Sequence, residues 1–369
     1  MLQKRLVILT PYEPNRIGGI ERLVREFAKR LKDAYELQVI CTGELAKEFT
    51  DGFPTKVVKG YPFLFAYAPK LRETVELAKP SIIYAHGYST YIAFVAWQLK
   101  KSSPNTKLVL HTHFHASGAN PTNTLLRSVY DRFIGPRIIK CADAIIANSY
   151  SELSELRQRF EINNPTFVVY NGVDVQRIRR AREFDLGANI IPILFVSRLE
   201  RYKNPLLAVR VMKHLSENFH LFIIGEGPEK KSVQSVIRRT GMTNRVHLLG
   251  KVTDDELYRW YKTAHVFLHF SASESFGMTC IEALAAGTPV IANDDGHGLS
   301  ETIRLFPEFI KSCKVNTDKP DHIAKLVERT VQMKPVHADV SKFDWDELTN
   351  QLAHILGDSE VDNELQYEL

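Results

Sequence analysis

Short apolar runs that alternate with helical patterns recur along the 369-residue chain and constrain its fold more than any other feature. The first run covers residues 5–10, and Gly18-Gly19 then opens an amphipathic pattern from about Ile20 to Leu31. Further strand-like runs of the first half lie at 37–41, 82–85, 107–111, 144–147 and 167–170. Strands that alternate with helices form βαβ units, which assemble into parallel sheets covered by helices. The pattern therefore predicts an α/β chain with doubly wound, Rossmann-like sheets.

The same alternation restarts at residues 192–197, which indicates a second doubly wound domain. It repeats through runs at 220–224, 246–249, 266–269 and 289–292. A charged stretch with weak apolar periodicity, residues 172–189, separates the two halves. We therefore predict Rossmann-like domains at 1–180 and 181–342, followed by a crossover helix and a frayed tail at 343–369. Ligands of such sheets bind beyond the carboxyl ends of the strands, so two facing domains would form a cleft.

Composition and charge exclude several classes of protein. Apolar residues make up 44% of the chain and charged residues 25%, as is usual for a soluble globular protein. No apolar run approaches the roughly 20 residues of a membrane-spanning helix, and the first run is too short for a signal peptide. The formal charge of +5 suits a phosphate-bearing ligand or an anionic membrane surface, and no basic block with interleaved aromatics indicates nucleic acid. Four scattered cysteines indicate free thiols in a reducing compartment, so we expect a cytoplasmic protein.

The segment from Glu274 to Glu282 carries the most specific chemical signal. Its continuation predicts a short helix that stops near Gly287 and Pro289, with Glu274 in the preceding loop and Glu282 about two turns inside. Free backbone N–H groups at the start of such a helix bind phosphate, and carboxylates on either side accept hydrogen bonds from hydroxyls. One segment can therefore hold a diphosphate between two hydroxylated groups, as a nucleotide sugar requires. The two carboxylates also suit a glycosidase, but a glutamate inside an Ala- and Leu-rich helix and a second nucleotide-type domain argue against it.

Two cations follow the first strand of the second half. Arg198 and Lys203 lie in one loop, where they could stabilise the negative charge that grows on a departing nucleoside diphosphate. Isolated loop charges of this kind are more often simply solvated. Gly225 and Gly227 follow the next strand, and without a third glycine they indicate a tight turn beside the ligand, with Pro228 as the first helical residue.

Glycine and histidine residues supply the candidates of the first half. Gly18 and Gly19 open a helix, where they would let the backbone approach an anion, although β–α turns also favour glycine for steric reasons. His111, His113 and His115 alternate at the end of a strand, so their imidazoles could share one face. This pattern fits a zinc site, a polar strand terminus or a histidine that contacts a donor sugar or its phosphate.

Residues 125–134 carry an apolar helical face with charged residues opposite. Its members are Leu125, Leu126, Val129, Tyr130, Phe133 and Ile134. Core packing explains such a face, and peripheral contact with a membrane is the alternative. Under that alternative the protein would lie on the inner face of the membrane.

Taken together, these residues resemble the retaining glycosyltransferases of the family-4 group, which have the two-Rossmann GT-B fold. The resemblance runs from about residue 5 to residue 356. Its most specific part is Glu274 to Ala292, which matches the family's E-x-F-G-x4-E followed by E-A-x-A-x-G-x-P-V. Supporting matches are Gly18-Gly19 with Glu21, His113, Asn171 to Asp174, Arg198-Leu199 with Lys203, Gly225 to Pro228, Gly298 with Glu301, and the last-helix entry Phe343-Asp344-Trp345.

The resemblance implies a hexosyltransferase that moves a sugar from a nucleotide-diphosphate sugar with retention of the anomeric configuration. It also implies that no cofactor or metal is required. Arg198 and Lys203 would grip the donor diphosphate. Glu274 would bind hydroxyls of the transferred sugar, Glu282 would hold the ribose hydroxyls, and His113 would approach the donor sugar. The remaining donor-binding residues would be Gly18, Gly19, Gly225, Gly227, Val252 beside the base, and Phe276, Gly277, Met278 and Thr279 through their amides.

Donor and acceptor are implied only as classes. Family frequency favours a UDP- or GDP-sugar over an ADP-sugar, and the acceptor would be a glycan, a lipid-linked molecule or a small molecule. Ser197 and Asn204 replace glycines that the family usually shows, and Phe114 replaces the Asp or Gly that commonly follows the histidine. Four alternatives stay open: a sugar-nucleotide epimerase or a phosphorylase of the same fold, a binding protein without catalysis, and a zinc hydrolase built on the histidines.

Overall fold

The chain forms two compact units, each built around one sheet. The computed structural model describes residues 3–16, 18–50, 52–61, 67–114 and 128–357. The first unit is Met1–Gly172 together with Trp345–Leu369, and the second is Val173–Asp344. Both sheets are almost entirely parallel and alternate with helices, which confirms the predicted α/β, doubly wound class. The predicted domain boundaries at residues 180 and 342 stay a prediction.

The first unit has an eight-stranded sheet with the order β3-β4-β2-β1-β5-β6-β7-β8. Its strands are β1 Arg5–Thr10, β2 Glu36–Gly43, β3 Lys47–Thr50, β4 Pro54–Lys59, β5 Ile82–His86, β6 Lys107–His111, β7 Ala144–Ala147 and β8 Thr166–Val168. All neighbours pair in parallel except β3 and β4, which pair antiparallel. The sequence analysis missed β3 and β4. The exposed Lys-Glu-Phe-Thr of β3 gives no apolar alternation to detect.

The helices of the first unit cover a sheet whose central strands are buried on both faces. They are α1 Gly19–Leu31, α2 Leu71–Ala78, α3 Tyr91–Ser102, α4 Gly135–Cys141 and α5 Tyr150–Arg159. All five residues of β5 are buried, which explains why that strand reads as a continuous apolar run rather than an alternating one. Polar residues lie at the strand ends, as His86 of β5 and His111 of β6 do.

The second unit has a six-stranded, fully parallel sheet with the order β11-β10-β9-β12-β13-β14. Its strands are β9 Ile191–Val196, β10 Phe219–Ile224, β11 Val246–Gly250, β12 Val266–His269, β13 Val290–Asn293 and β14 Ile310–Cys313. Its helices are α6 Val175–Arg180, α7 Pro205–Val211, α8 Lys230–Arg239, α9 Asp254–Thr263, α10 Met278–Ala285, α11 Gly298–Leu305 and α12 Pro320–Thr330. The sequence analysis missed β14, whose Ile-Lys-Ser-Cys is short and half polar.

The last helix, α13 Trp345–Leu356, belongs to the first unit although it follows the second in the chain. The indole of Trp345 is buried, with its ring centroid 5.7 Å from that of Phe27 on α1. Arg30 on α1 donates to Asp346 at 2.7 Å. A Cβ on Gly172 would lie 2.2 Å from the Trp345 ring, so only glycine fits there. The predicted return of the last helix to the N-terminal half is confirmed.

Two local predictions are wrong. Helix α10 begins at Met278, so Glu282 lies little more than one turn inside it rather than two. Helix α8 begins at Lys230, so Pro228 is not its first residue. In both places a tight glycine conformation delays the helix: Gly277 has φ +84° and Gly227 has φ +158°.

The predicted apolar face at 125–134 is described only from residue 128, because Leu125 and Leu126 lie outside the described residues. Tyr130 and Ile134 pack against the core of the first unit. Val129 and Phe133 are 52% and 54% exposed. The face is therefore divided between core packing and solvent. None of the helices in the described part of the chain has an apolar stretch that could cross a bilayer.

Candidate active site

The strongest cluster of charge in the second unit surrounds Glu274. This residue follows β12 in the loop before α10, and its carboxylate forms an ion pair with Lys203, from the loop after β9. His269, the last residue of β12, places Nε2 3.1 Å from the same Glu274 oxygen. The side chains of Lys203 and Glu274 are 12% and 19% exposed, so the pair is largely shielded but still reaches the surface. Strand ends thus bring together two residues that are 71 positions apart in the chain.

The carboxyl of Glu274 is held in its ionised form. Burial raises its pKa, but the hydrogen bond and electrostatic interaction with His269 and the ion pair with Lys203 outweigh burial, so the pKa falls from 4.5 to about 2. At neutral pH the group is therefore an acceptor with fixed charge. Such a carboxylate suits the binding of hydroxyl groups and does not suit proton donation.

Backbone contacts fix the loop that carries Glu274. The Glu274 N–H donates to Asp295 Oδ2 at 3.0 Å, and Asp295 Oδ1 accepts from the N–H groups of His297 and Ser300 at 2.8 and 3.2 Å. A Cβ on Gly298 would lie 1.9 Å from the Ser275 carbonyl oxygen. The start of α11 therefore presses directly on this loop, which gives Gly298 a steric reason for being glycine.

Residues 276–279 lead from the Glu274 loop into the first turn of α10. The Phe276 ring is buried, 5.4 Å from that of Phe343, so this residue could meet a ligand only through its backbone. Gly277 caps the helix with φ +84°. Met278 and Thr279 begin the first turn, and Thr279 Oγ1 lies 3.2 Å from His269 Nδ1. The first N–H groups of the helix thus lie beside the Glu274 cluster. Free N–H groups at a helix start favour the binding of an anion.

Glu282 is more deeply placed than a ligand-binding carboxylate needs to be. Its side chain is buried, and its Oε2 accepts a hydrogen bond from the Tyr261 hydroxyl of α9 at 2.9 Å. The predicted contact with a ribose would therefore involve a carboxylate that is buried and already accepts a hydrogen bond. It stays a prediction.

Arg198 and Lys203 are linked through the aromatic residue between them. Arg198 pairs with Glu200 at 2.8 Å and donates to the Tyr202 hydroxyl at 3.1 Å. The Lys203 ammonium lies 4.8 Å from the centroid of the Tyr202 ring. The Arg198 side chain is 71% exposed, so its guanidinium is accessible to an anion.

The glycines at 225 and 227 support the Arg198 loop. A Cβ on Gly225 would lie 1.9 Å from the Ser197 carbonyl oxygen, and one on Gly227 would lie 2.5 Å from that of Leu199. The Leu199 N–H also donates to the Glu226 carbonyl at 2.8 Å. This close approach explains the Gly-x-Gly pattern without a third glycine, as a support for the loop that carries a cation.

Two of the positions that depart from the family pattern have clear structural roles. Asn204 adopts a left-handed backbone with φ +54°, and asparagine tolerates that region better than most residues do. Asparagine can therefore occupy a left-handed position that glycine usually fills. Phe114 is buried against Tyr88, with ring centroids 5.7 Å apart, so its side chain belongs to the core. Val252, the predicted neighbour of the base, is half-buried and directly precedes the capping box of Thr253 and Glu256 that opens α9.

In the first unit, Gly18 is the N-cap of α1 and Gly19 is its first residue. A Cβ on Gly18 would lie 2.0 Å from the Glu21 carboxylate, whereas one on Gly19 would meet open space. A side chain at residue 18 would therefore displace the Glu21 carboxylate from the helix start. Gly19 has no steric reason for being glycine, which is compatible with its predicted place near a ligand.

His113 belongs to a stacked group of histidines at the carboxyl ends of β5 and β6. Its ring centroid is 4.2 Å from that of His111, and the planes are inclined by only 12°. His113 Nε2 lies 3.0 Å from His86 Nδ1. The backbone of His113 is left-handed, with φ +46°. The strand ends at His111, so this turn, and not strand alternation, brings the two rings together; His115 lies outside the described residues.

A buried asparagine and a buried glutamate fill the space behind these rings. Asn148 lies 2.9 Å from His113 Nδ1 and 3.0 Å from His111 Nε2. Glu152, on α5, accepts from Asn148 Nδ2 at 2.8 Å. The remaining nitrogen of His111, Nδ1, lies 2.7 Å from the Tyr84 hydroxyl. Burial lowers the pKa of His111 well below its usual value, so this imidazole is neutral at physiological pH.

The three histidines also form the one candidate metal group among the described residues. One nitrogen from each of His86, His111 and His113 lies within 4.8 Å of the others. The stacked rings are unfavourable for this purpose, because ligand lone pairs in near-parallel planes do not converge on one ion. Ring nitrogens of all three are also engaged in hydrogen bonds. The zinc hypothesis therefore requires a rearrangement of this cluster.

Several members of both clusters were missed by the sequence analysis. They are His269, Asp295, Tyr261 and Tyr202 in the second unit and His86, Asn148 and Glu152 in the first. A usable signal existed for some of them, since His86 and His269 end strands and Asn148 directly follows one. Extending the strand-end rule to every polar residue at such positions would have found these three.

Two family models match consecutive parts of the chain. Glycosyltransferase Family 4 matches residues 17–177, and Glycosyl transferases group 1 matches residues 174–343. The boundary between the matches falls at the junction of the two units. Together with the fold, they show that the chain belongs to the family-4 type of GT-B glycosyltransferases.

The chain is also similar to curated proteins, and its fold is similar to that of solved structures. The chain is 28% identical to an N-acetylgalactosamine-N,N'-diacetylbacillosaminyl-diphospho-undecaprenol 4-alpha-N-acetylgalactosaminyltransferase of Campylobacter jejuni over 56% of each protein. It is 30% identical to an uncharacterized 41.2 kDa protein in the cps region of Klebsiella pneumoniae, over 84% of this chain and 86% of that one. Among solved structures, HepE of Anabaena in complex with UDP has a TM-score of 0.73 at 20% identity, covering 96% and 99% of the chains. The protein is a glycosyltransferase.

Proposed function

We propose that this glycosyltransferase moves a sugar from a UDP- or GDP-sugar to a glycan, lipid-linked or small-molecule acceptor with retention of configuration. The observation that carries the proposal is the Lys203–Glu274 ion pair beside the first N–H groups of α10. It offers a cation for a diphosphate, a fixed carboxylate for sugar hydroxyls and a helix start for phosphate within one cluster. The UDP bound by the similar HepE supports a nucleotide donor.

The chemistry needs charge stabilisation more than proton transfer. The bond between the anomeric carbon and the phosphate oxygen breaks, and negative charge grows on the departing nucleoside diphosphate. Lys203 and Arg198 would stabilise that charge, since preorganised cations act without reorganisation at the moment of reaction. The acceptor hydroxyl would attack from the same face and pass its proton to the leaving phosphate. Glu274, with a pKa of about 2, would stay ionised and hold sugar hydroxyls throughout.

The acceptor class rests on fewer observations. The Campylobacter relative acts on a diphospho-undecaprenol acceptor, by its name. Val129 and Phe133 expose two apolar side chains at helical spacing, and such a pair would suit contact with a membrane that holds a lipid-linked acceptor. We therefore favour a lipid-linked acceptor, which this protein would bind at the cytoplasmic face of a membrane.

Nucleotide binding is the first test. UDP, GDP, ADP and their sugars would be titrated by calorimetry with and without EDTA, using wild type, Arg198→Ala and the control Arg210→Ala, an exposed arginine of α7. We expect selective binding of a UDP or GDP compound that EDTA leaves unchanged, that Arg198→Ala weakens and that Arg210→Ala preserves. Binding of no nucleotide would contradict the proposal.

Product analysis separates the alternatives. A transferase gives a new glycoside only when an acceptor is present, an epimerase converts the donor alone, and a phosphorylase requires inorganic phosphate. A binding protein without catalysis would bind the nucleotide and form no product. Metal analysis of the purified protein tests the zinc hydrolase, which predicts about one zinc per chain, lost on replacement of His113.

A further inference from the structure

The direction of each hydrogen bond around His113 follows from one buried carboxylate. Glu152 Oε1 accepts from the Phe114 backbone N–H at 2.7 Å, and Oε2 accepts from the Asn148 backbone N–H at 3.0 Å. Backbone N–H groups can only donate, so both oxygens of this buried side chain accept, and as a carboxylate Glu152 has no hydrogen to donate. The group that faces Glu152 from the Asn148 side chain must then be its NH2, which lies 2.8 Å from Oε2. The orientation of the Asn148 amide, otherwise ambiguous, is thereby assigned.

The orientation of Asn148 determines the tautomers of the two rings that it contacts. One hydrogen of Nδ2 goes to Glu152, so the other is directed to His113 Nδ1 at 2.9 Å. That nitrogen must carry a lone pair. Asn148 Oδ1 lies 3.0 Å from His111 Nε2, which must carry a hydrogen. His111 Nδ1 then accepts from the Tyr84 hydroxyl at 2.7 Å, so this branch has one donor and one acceptor in every bond.

The other branch ends on His86. With Nδ1 bare, neutral His113 carries its hydrogen on Nε2 and directs it to His86 Nδ1 at 3.0 Å. His86 is fully buried and must carry its own hydrogen on Nε2, an atom that has no hydrogen-bond partner among the described residues. Burial, together with the electrostatic interaction with His113, lowers the pKa of His86 well below its usual value, so it is a neutral acceptor. Burial of His86 with this Nε2–H therefore costs free energy, and the hydrogen bond at its Nδ1 comes from His113.

We propose that Asn148, oriented by Glu152, is a positioning residue that fixes His113 as the Nε2–H tautomer, and that His86 accepts this N–H until a ligand oxygen replaces it. The first part rests on the geometry of the first unit alone. The second part rests on the proposed function, because it assumes that a donor sugar or phosphate approaches His113. A donor group that is already oriented loses little on exchange of one acceptor for another.

The tautomer can be observed without any ligand or activity. Long-range nitrogen–proton NMR spectra of wild-type protein with 15N-labelled histidine distinguish a bare from a protonated Nδ1, and the His113→Gln spectrum identifies the signals of His113. We expect Nδ1 bare and Nε2 protonated in the free protein at neutral pH. A protonated Nδ1 on His113 would overturn the proposal.

Variants on the two sides of the ring sharpen this test. Asn148→Asp replaces the NH2 with an acceptor, so we expect Nδ1 of His113 to become protonated. His86→Leu removes the other neighbour and should leave Nδ1 bare, because the tautomer is fixed from the Asn148 side. Asn105→Asp, an exposed site, makes the same chemical change as a control. An unchanged His113 in Asn148→Asp, or a changed one in His86→Leu, would contradict the assignment.

Transfer kinetics then separate the two parts of the proposal. If His113 acts on the donor, Asn148→Asp should lower kcat about 10- to 100-fold with little change in KM, by analogy with the loss of partners that orient metal-binding histidines. A changed tautomer with an unchanged kcat would leave the positioning role intact and remove the role of His113 in transfer. If the wild-type spectrum is as expected and no transferase activity exists, only the proposed function fails.

Discussion

The two candidate clusters lie in units that both have a mainly parallel sheet, but the electrostatics of the clusters differ. Around Glu274 in the second unit, opposite charges meet in a partly exposed ion pair. Around His113 in the first unit, neutral rings are ordered by hydrogen bonds that start from one buried carboxylate, Glu152. Fixed charge suits a site for an anionic ligand, whereas a fixed tautomer suits a site that must present one N–H group. Similar sheets therefore carry a charged cluster in one unit and a cluster of hydrogen bonds with fixed direction in the other.

Removal of the cation in the second unit should give the largest effect. Lys203→Ala leaves Glu274 without its ion-pair partner and the developing diphosphate charge without a cation. We expect a loss of about 2–4 kcal/mol of transition-state stabilisation, measured as kcat/KM for transfer. Glu282→Ala should cost a similar amount if that carboxylate holds the ribose.

The matched control for that experiment is Lys56→Ala, which breaks an exposed pair with Glu48 in the first unit. We expect it to change kcat/KM very little, because exposed ion pairs contribute little. Equal values of kcat/KM in Lys203→Ala and Lys56→Ala would show that the charge of Lys203 does not contribute to transfer.

Acid should weaken the second-unit cluster in a defined pH window. The folded-state pKa of Glu274 is depressed from 4.5 to about 2, so its contribution to stability is complete above pH 4.5 and is lost as the pH falls toward 2. A shift of this size corresponds to at most about 3 kcal/mol. The measurement compares the free energy of unfolding of wild type and Glu274→Gln at pH 7 and pH 3. A stability difference that stays constant between these pH values would contradict the assignment.

Replacement of the buried carboxylate of the first unit should lower the free energy of unfolding. It should not act through the charge that stabilises a ligand. Glu152→Gln places an NH2 group where one of the donating N–H groups now points, so we expect a loss of about 1.5–3 kcal/mol in the free energy of unfolding. Glu161→Gln, at an exposed site just beyond α5, is the control and should be nearly neutral. Urea unfolding checks both. A neutral Glu152→Gln would mean that the carboxylate does not order this cluster.

The smallest expected effect concerns the backbone that supports Lys203. Asn204 has φ +54°, so Asn204→Ala should be less stable than Asn204→Gly by about 1 kcal/mol. Both variants lose the hydrogen bond from Asn204 Nδ2 to the Phe270 carbonyl, so their difference isolates the backbone term. Thermal unfolding of the pair measures it. Equal stabilities would show that the left-handed conformation is not what selects asparagine here.

Most of the fold was accessible from the sequence because buried parallel strands read as apolar runs. The missed strands are short, polar or at a sheet edge: β3 and β4 in the first unit and β14 in the second. The depth of Glu282 was also misjudged, because the left-handed Gly277 delays the start of α10. The missed strands β3 and β14 lack apolar alternation, whereas the misplaced helix start follows a turn whose end local composition does not reveal.

The sequence by itself determined the α/β class, the two-unit organisation, the family, and the segments that carry Glu274, Lys203 and His113. Those features reside in periodicity and in contiguous motifs, which a chain displays without being folded. Only the tertiary structure decided that His269 and Lys203 meet Glu274, that Phe114 is core, and that Asn148 and Glu152 order the histidines. Such contacts join residues on different strands and helices, and hydrogen-bond direction depends on what each donor faces after the chain has folded.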